Sequence, residues 1–296
     1  MSHPVSHTPK GLRREAEAIG AAFPALLADA SQLAATVVLG EHGRRQAGMG
    51  DEFWQFRPAQ PTDSRRRIDW RRSARADSHF VRQTEWQAAQ SVLLWVDEGL
   101  SMRFTGHKDR PEKATRARLL GRAAAILLIR AGERVGLAKL ADRPQTGETQ
   151  LIRLAEALTT LEGEEDHGAP RARTMPAGSR ALFVSDFLGD LAPIERALMQ
   201  AADRGVGGAL CQVLDPVEEA FPFDGRTIFE SVSGKVSHET LKASGLRDRY
   251  LERLAERKAQ LAALARETGW QYSCHHTDEP AQAALLWIYG ALERVR

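Results

Sequence analysis

After Ser91 the chain alternates short, nearly unbroken apolar runs with longer stretches of helical apolar spacing, and this rhythm narrows the fold more than any other feature. "SVLLWVD" reads as a strand buried on both faces, as parallel strands under helices are. "EKATRARLLGRAAAILLIRAG" is an amphipathic helix closed by Gly132, a residue suited to a helix stop. "RVGLAKLA", "RALFVSD" and "GGALCQVLD" read as further strands, with "ETQLIRLAEALTTL" and "LAPIERALMQAADRG" as helices between them. "RTIFESVSG" is an additional strand, "LRDRYLERLAERKAQLAALARETG" a long charged helix, "WQYSCHH" a short strand, and a last helix starts at Pro280. Strand and helix alternate, so residues 91–296 are expected to form an α/β domain with a mostly parallel sheet flanked by helices.

Residues 1–90 differ in pattern. Apolar residues recur at helical spacing over 11–35, with Pro24 marking a kink or break. From Gly40 to about Ser91 glycines, prolines and charges separate short aromatic pieces such as "FWQF" and "HFVRQ". The expectation is an N-terminal helix followed by an irregular, β-rich insertion.

A content of 43% hydrophobic residues supports a substantial core, and a net charge of +2 makes any basic surface local. That argues against nucleic acid, whose binders are basic across a whole domain. The longest apolar run is the seven-residue "AAAILLI", far short of the roughly 20 residues of a membrane span. "MSHPVSHTPKGLRREAEA" has no apolar core of a secretory signal, so a cytoplasmic protein is expected. In that setting Cys211 and Cys274 are reduced packing residues. His275 and His276, next to Cys274, have no matching ligand pair elsewhere in the sequence.

Open α/β sheets bind ligands beyond the carboxyl ends of their strands, where strand order reverses. Three strands end in Asp97, Asp186 and Asp215. The first and fourth strands of a doubly wound sheet are commonly neighbours there, which would set Asp97 and Asp186 facing across a crevice. Ser101 follows in the loop after Asp97, and Thr149 falls at a helix start. Two carboxylates and two hydroxyls form a hard-oxygen set suited to Mg²⁺ or Mn²⁺. The plainer alternative is that each aspartate caps the turn or helix after its strand.

The loop "VDEGLSM" resembles the metal-ion-dependent adhesion motif, Asp-x-Ser-x-Ser, of von Willebrand factor type A domains, with Gly99 where that motif has its first serine. The run from Gly40 to Phe104 resembles the domain of unknown function 58 family. The resemblance is carried by "GMGDEF" and then by Arg57, Asp63, Arg66, Ile68, Asp69, Trp70, Ser73, Ala74 and Arg75; Ala59 and Thr62 depart from the family pattern. It implies a Rossmann-like, von Willebrand type A-like domain and a metal at Asp97, Ser101, Asp186 and Thr149. It also implies an acidic group of the partner reaching that metal. Members are commonly encoded beside MoxR-type AAA+ ATPases, which makes such an ATPase the implied partner.

From Arg57 to Arg75 there are seven arginines and no lysine, opposed only by Asp63 and Asp69. Arginine without lysine favours planar, bidentate pairing. One reading is a buried lattice in which Asp69, Arg66 and Arg75 fasten the insertion to the α/β domain, with Trp70 as a stacking face. The other is that Arg65, Arg67, Arg71 and Arg72 face outward as a docking patch for an acidic partner or a phosphate. The chain shows no glycine-rich phosphate loop, Ser-His-Asp spacing or paired CxxC. The expected function is therefore a non-enzymatic interaction module acting with the ATPase in maturation of, or metal insertion into, a client. The alternatives are a metal-dependent phosphoester hydrolase using Asp97 and Asp186, or a phosphate- or nucleic-acid-binding protein acting through the arginine cluster.

Overall fold

The computed structural model describes residues 28–36, 44–48, 52–60, 63–64, 68–74, 78–140, 142–160, 163–170, 175–230, 234 and 237–293. The chain divides into two compact units, 41–90 and the remainder.

The smaller unit is an antiparallel sheet of β1 (Arg44–Gly48), β2 (Glu52–Pro58) and β3 (Phe80–Ala88), with β3 central. A register shift between Phe53 and Gln55 interrupts the β2–β3 ladder. A one-turn helix, α2 (Trp70–Ser73), precedes β3. Ile68 bridges to Val81, the Asp69 amide donates to the Phe80 carbonyl at 2.8 Å, and the Phe80 amide donates to Ser73 Oγ at 2.9 Å. These bonds tie the Ile-Asp-Trp segment to the sheet.

The larger unit has the expected α/β class. Its helices are α1 (28–35), α3 (Lys113–Arg130), α4 (Glu148–Thr159), α5 (Ala192–Asp203), α6 (Pro216–Ala220), α7 (Arg247–Glu267) and α8 (Ala281–Glu293). Its main strands are β4 (Ser91–Val96), β5 (Arg134–Leu137), β6 (Arg180–Ser185), β7 (Gly207–Leu214) and β10 (Gln271–His276). All pair in parallel, in the order β10-β7-β6-β4-β5. This is a Rossmann-like, doubly wound order of the kind expected for a von Willebrand type A-like domain, with the reversal between β4 and β6. One antiparallel bridge, Val135 to Gln145, adds to the β5 edge. A separate hairpin pairs β8 (Thr227–Glu230) with β9 (Ser237–Thr240); β8 was expected, its partner was not.

Side chains alternate across each strand and supply two cores. Val92, Leu94, Leu182, Val184 and Ala209 pack under α3, α4 and α8, while Leu93, Ala181, Phe183 and Leu210 pack under α5 and α7. Ala30 and Ala34 of α1 are fully buried in the first core. The helical segment that the sequence pattern set beside the Arg-rich stretch thus packs with the α/β unit; the expected helix over 11–27 lies outside the described residues.

Candidate functional site

The carboxyl ends of β4, β6 and β7 place Asp97, Asp186 and Asp215 along one edge, each almost fully buried. The Asp97 amide donates to the Val184 carbonyl at 2.9 Å, so β4 and β6 stay paired up to the two acidic side chains. Asp97 and Asp186 therefore flank the switch point.

Asp97 is held by three protein donors. Its Oδ1 accepts from the Gly99 amide at 2.7 Å and the Gly168 amide at 3.0 Å, and its Oδ2 accepts from Ser185 Oγ at 2.6 Å. Burial raises its pKa, and these donors oppose the rise. Asp186 meets a cation instead. Lys113 Nζ lies 2.9 Å from Asp186 Oδ2 and 2.7 Å from Glu218 Oε1. Lys113 is only 1% exposed. Burial works against its charge, but the two carboxylates more than offset this and its pKa is raised. Burial works against the Asp186 anion as well, yet Lys113, with His167 Nδ1 at 3.8 Å, holds that carboxyl well below the usual range. Asp215 is a helix cap: its side chain accepts from the Val217 amide at 2.8 Å, and its backbone amide donates to Glu218 Oε2. The capping alternative is thus correct for Asp215.

The loop 163–168 lies over the end of β4 through close backbone approaches. The Gly163 amide donates to the Glu98 carbonyl, Leu100 to Glu165, and Ser101 to Asp166. A Cβ added at Gly99 would stand 2.8 Å from the Asp166 carbonyl oxygen and 2.9 Å from the Gly168 nitrogen. Glycine is required at position 99 by this contact, and a serine there would displace the loop.

Mg²⁺ and Mn²⁺ take about six oxygen ligands in near-octahedral geometry. Here Asp97 already accepts from three protein donors, the position beside Asp186 holds an ammonium, and Gly99 has no hydroxyl. Thr149 is exposed on the first turn of α4 and is not brought to the cluster. Of the expected ligands Asp97, Ser101, Asp186 and Thr149, Ser101 is the one with a buried polar atom, its Oγ, that has no hydrogen-bond partner among the described residues. The donor set does not fit a divalent metal. Glu219, Cys274 and His276 also converge, with one ligand atom from each within 4.8 Å of the others. Lys258 already pairs with Glu219 there.

In the smaller unit Arg57 and Asp63 form a bidentate pair, both contacts at 2.6 Å, and Asp63 also accepts from the Gln60 amide. Asp69 caps α2 by accepting from the Arg72 amide at 2.9 Å. A carboxylate three residues before an amide of a helical turn is captured locally; the arginines of the expected lattice around Asp69, Arg66 and Arg75, lie outside the described residues. Trp70 is 56% exposed and meets the His79 ring edge-on, whereas Arg72 stacks over Phe56 at 4.5 Å. Arg71 and Arg72 are exposed; Arg65, Arg66, Arg67 and Arg75 lie outside the described residues.

Sequence reasoning missed Lys113, Glu218, His167 and the glycines of the 163–168 loop. Lys113 did leave a signal. It sits four residues before Ala117 and seven before Leu120, on the apolar stripe of α3. It also stands in the first helical turn, where the macrodipole disfavours a cation.

A family model described as "Protein of unknown function DUF58" matches residues 55–260. An uncharacterized protein of Mycobacterium tuberculosis is 28% identical, covering 98% of this chain and 95% of its own length. Among solved structures, an aerotolerance-related membrane protein from Bacteroides fragilis matches at 14% identity and TM-score 0.43, over 69% of this chain and 98% of its own. A conserved hypothetical protein, BatB, from Bacteroides thetaiotaomicron matches at 13% identity and TM-score 0.37, with the same shares covered.

Proposed function

Because the chain belongs to the family described as protein of unknown function DUF58, we propose that it is a non-enzymatic interaction module of the cytoplasm. It docks a MoxR-type AAA+ ATPase at the carboxyl edge of the α/β unit. The observation that carries this reading is the lysine between the carboxylates. Asp186 and Glu218 are neutralised internally by Lys113, and Asp97 is held by three protein donors. None of the three acids is left as a free general base or a metal ligand, so the edge is built to be rigid rather than reactive. The ATPase as partner rests on the family resemblance, with the ATPase supplying the energy and this chain presenting a client.

Glu164, Glu165 and Asp190 are exposed at this edge and give it a negative rim, which would set association rate and salt dependence. Surface-based binding kinetics against the ATPase test the placement. Glu164→Lys together with Glu165→Lys should slow association severalfold and flatten its salt dependence, with the melting temperature unchanged. Binding that ignores both changes would move the interface elsewhere. Turnover of a phosphodiester panel with Mg²⁺ or Mn²⁺, lost on Asp97→Asn, would replace this reading with the hydrolase.

A further inference from the structure

Beside the carboxylate cluster, α6, the β8–β9 hairpin and α7 enclose a cavity of about 540 Å³. That volume suits one or two inserted side chains and lies within the usual range for ligand sites. Its floor is aromatic: Phe221, Phe223, Phe229 and Tyr250 pack with ring centroids between 4.9 and 5.7 Å apart. Phe221 holds a φ of +40°, a left-handed conformation that is costly for a bulky residue and often marks functional positions.

The mouth is cationic. Arg249 and Arg253, one turn apart on α7, line the cavity and are exposed, and neither pairs with a carboxylate among the described residues. His238 lies opposite, paired in register with Phe229 across the hairpin. Glu218, the cavity's acidic residue, already bonds to Lys113. An apolar floor under unpaired guanidinium groups complements an anion with an apolar body. Two arginines one helical turn apart, roughly 6 Å at their Cβ atoms, span more than one carboxylate. Their spacing matches acids at neighbouring positions of a polypeptide.

We infer that this pocket receives an acidic segment of a partner protein bearing one bulky apolar side chain. The apolar side chain enters the aromatic floor, and the flanking carboxylates lie against Arg249 and Arg253. Aromatic anchors seated in desolvated pockets carry most of the energy of such contacts. The inference rests on the interaction-module reading. It moves the partner's acidic group away from Asp97 and Asp186, whose rim has the wrong sign for it.

The test uses the full chain and three fluorescein-labelled peptides, Glu-Glu-Phe-Glu-Glu, Lys-Lys-Phe-Lys-Lys and Glu-Glu-Gly-Glu-Glu, read by anisotropy. The first should bind saturably and the other two at least about tenfold more weakly. Arg249→Glu with Arg253→Glu, both exposed, should abolish binding with no change in melting temperature. Tyr250→Phe, which keeps the ring, should retain it. Equal binding of the three peptides, or binding that survives the double reversal, would overturn the pocket's role. So would a small aromatic carboxylic acid binding where no peptide does. None of these outcomes depends on the ATPase: loss of ATPase binding with the peptide result intact would fault the partner, and the converse would fault the pocket.

Discussion

Lys113 carries out, as a side chain, what the sequence pattern assigned to an ion. Removing one member of a buried ionic group leaves uncompensated charge and costs about 3–5 kcal/mol. Lys113→Met should therefore lower unfolding free energy by that order in denaturant titration, and adding Asp186→Asn and Glu218→Gln to it should recover much of the loss. Gly99→Ser should be destabilising by about 1–3 kcal/mol, because the new side chain overpacks the contact with 166–168. Calorimetry with millimolar Mg²⁺ should show no binding heat in wild type or in Gly99→Ser. His167 adds a pH dependence. Its pKa is raised, first through its bond with Asp186, so the stabilisation is complete below the ordinary imidazole value of about 6.5 and is lost as pH climbs through the raised value. His167→Gln should flatten the denaturation midpoint across that interval and leave it unchanged in slope at more acidic pH. A midpoint curve identical to wild type would mean that the imidazole does not pair with Asp186.

At the scale of elements, what could be read from the sequence was what depends on neighbours along the chain. The parallel strands showed as apolar runs, the helices as periodic stripes, and Gly132 as a stop, where its φ is +84°. The switch-point pairing of Asp97 and Asp186 was legible because strand order follows from a few topological rules. The β9 strand was not: "SHET" has no apolar alternation and exists through its ladder with β8. Nor was the loop 163–168, where Gly163 lies against Glu98 and Gly168 against Asp97, residues some 65 to 70 positions earlier in the chain. In the Arg-rich segment the described residues show local bonds: Asp69 holds one helical turn and Ser73 accepts from β3. Asp69→Ala should accordingly cost about 1 kcal/mol, as loss of an N-cap does. Arg71→Ala should stay within about 0.5 kcal/mol. Thermal melts of the two variants separate a cap from a lattice, since a lattice would make the Asp69 change several times more damaging.

Across the whole molecule, the 55–260 family match covers part of the smaller unit and most of the larger, so the family signature spans both compact bodies. No helix among the described residues is long and apolar enough to cross a membrane. The ionic centre of the larger unit joins three elements far apart in sequence: α3 through Lys113, the end of β6 through Asp186, and α6 through Glu218. A cation carried on a covalent stem has no dissociation constant. Chelators cannot strip it, scarcity cannot empty the site, and no competing ion can take its place. Under the proposed function, ATPase binding should therefore be the same in EDTA as in magnesium buffer, once nucleotide is left out and ionic strength is matched. The charge at this edge is inherited with the polypeptide, and the cell's supply of ions has no hold over it.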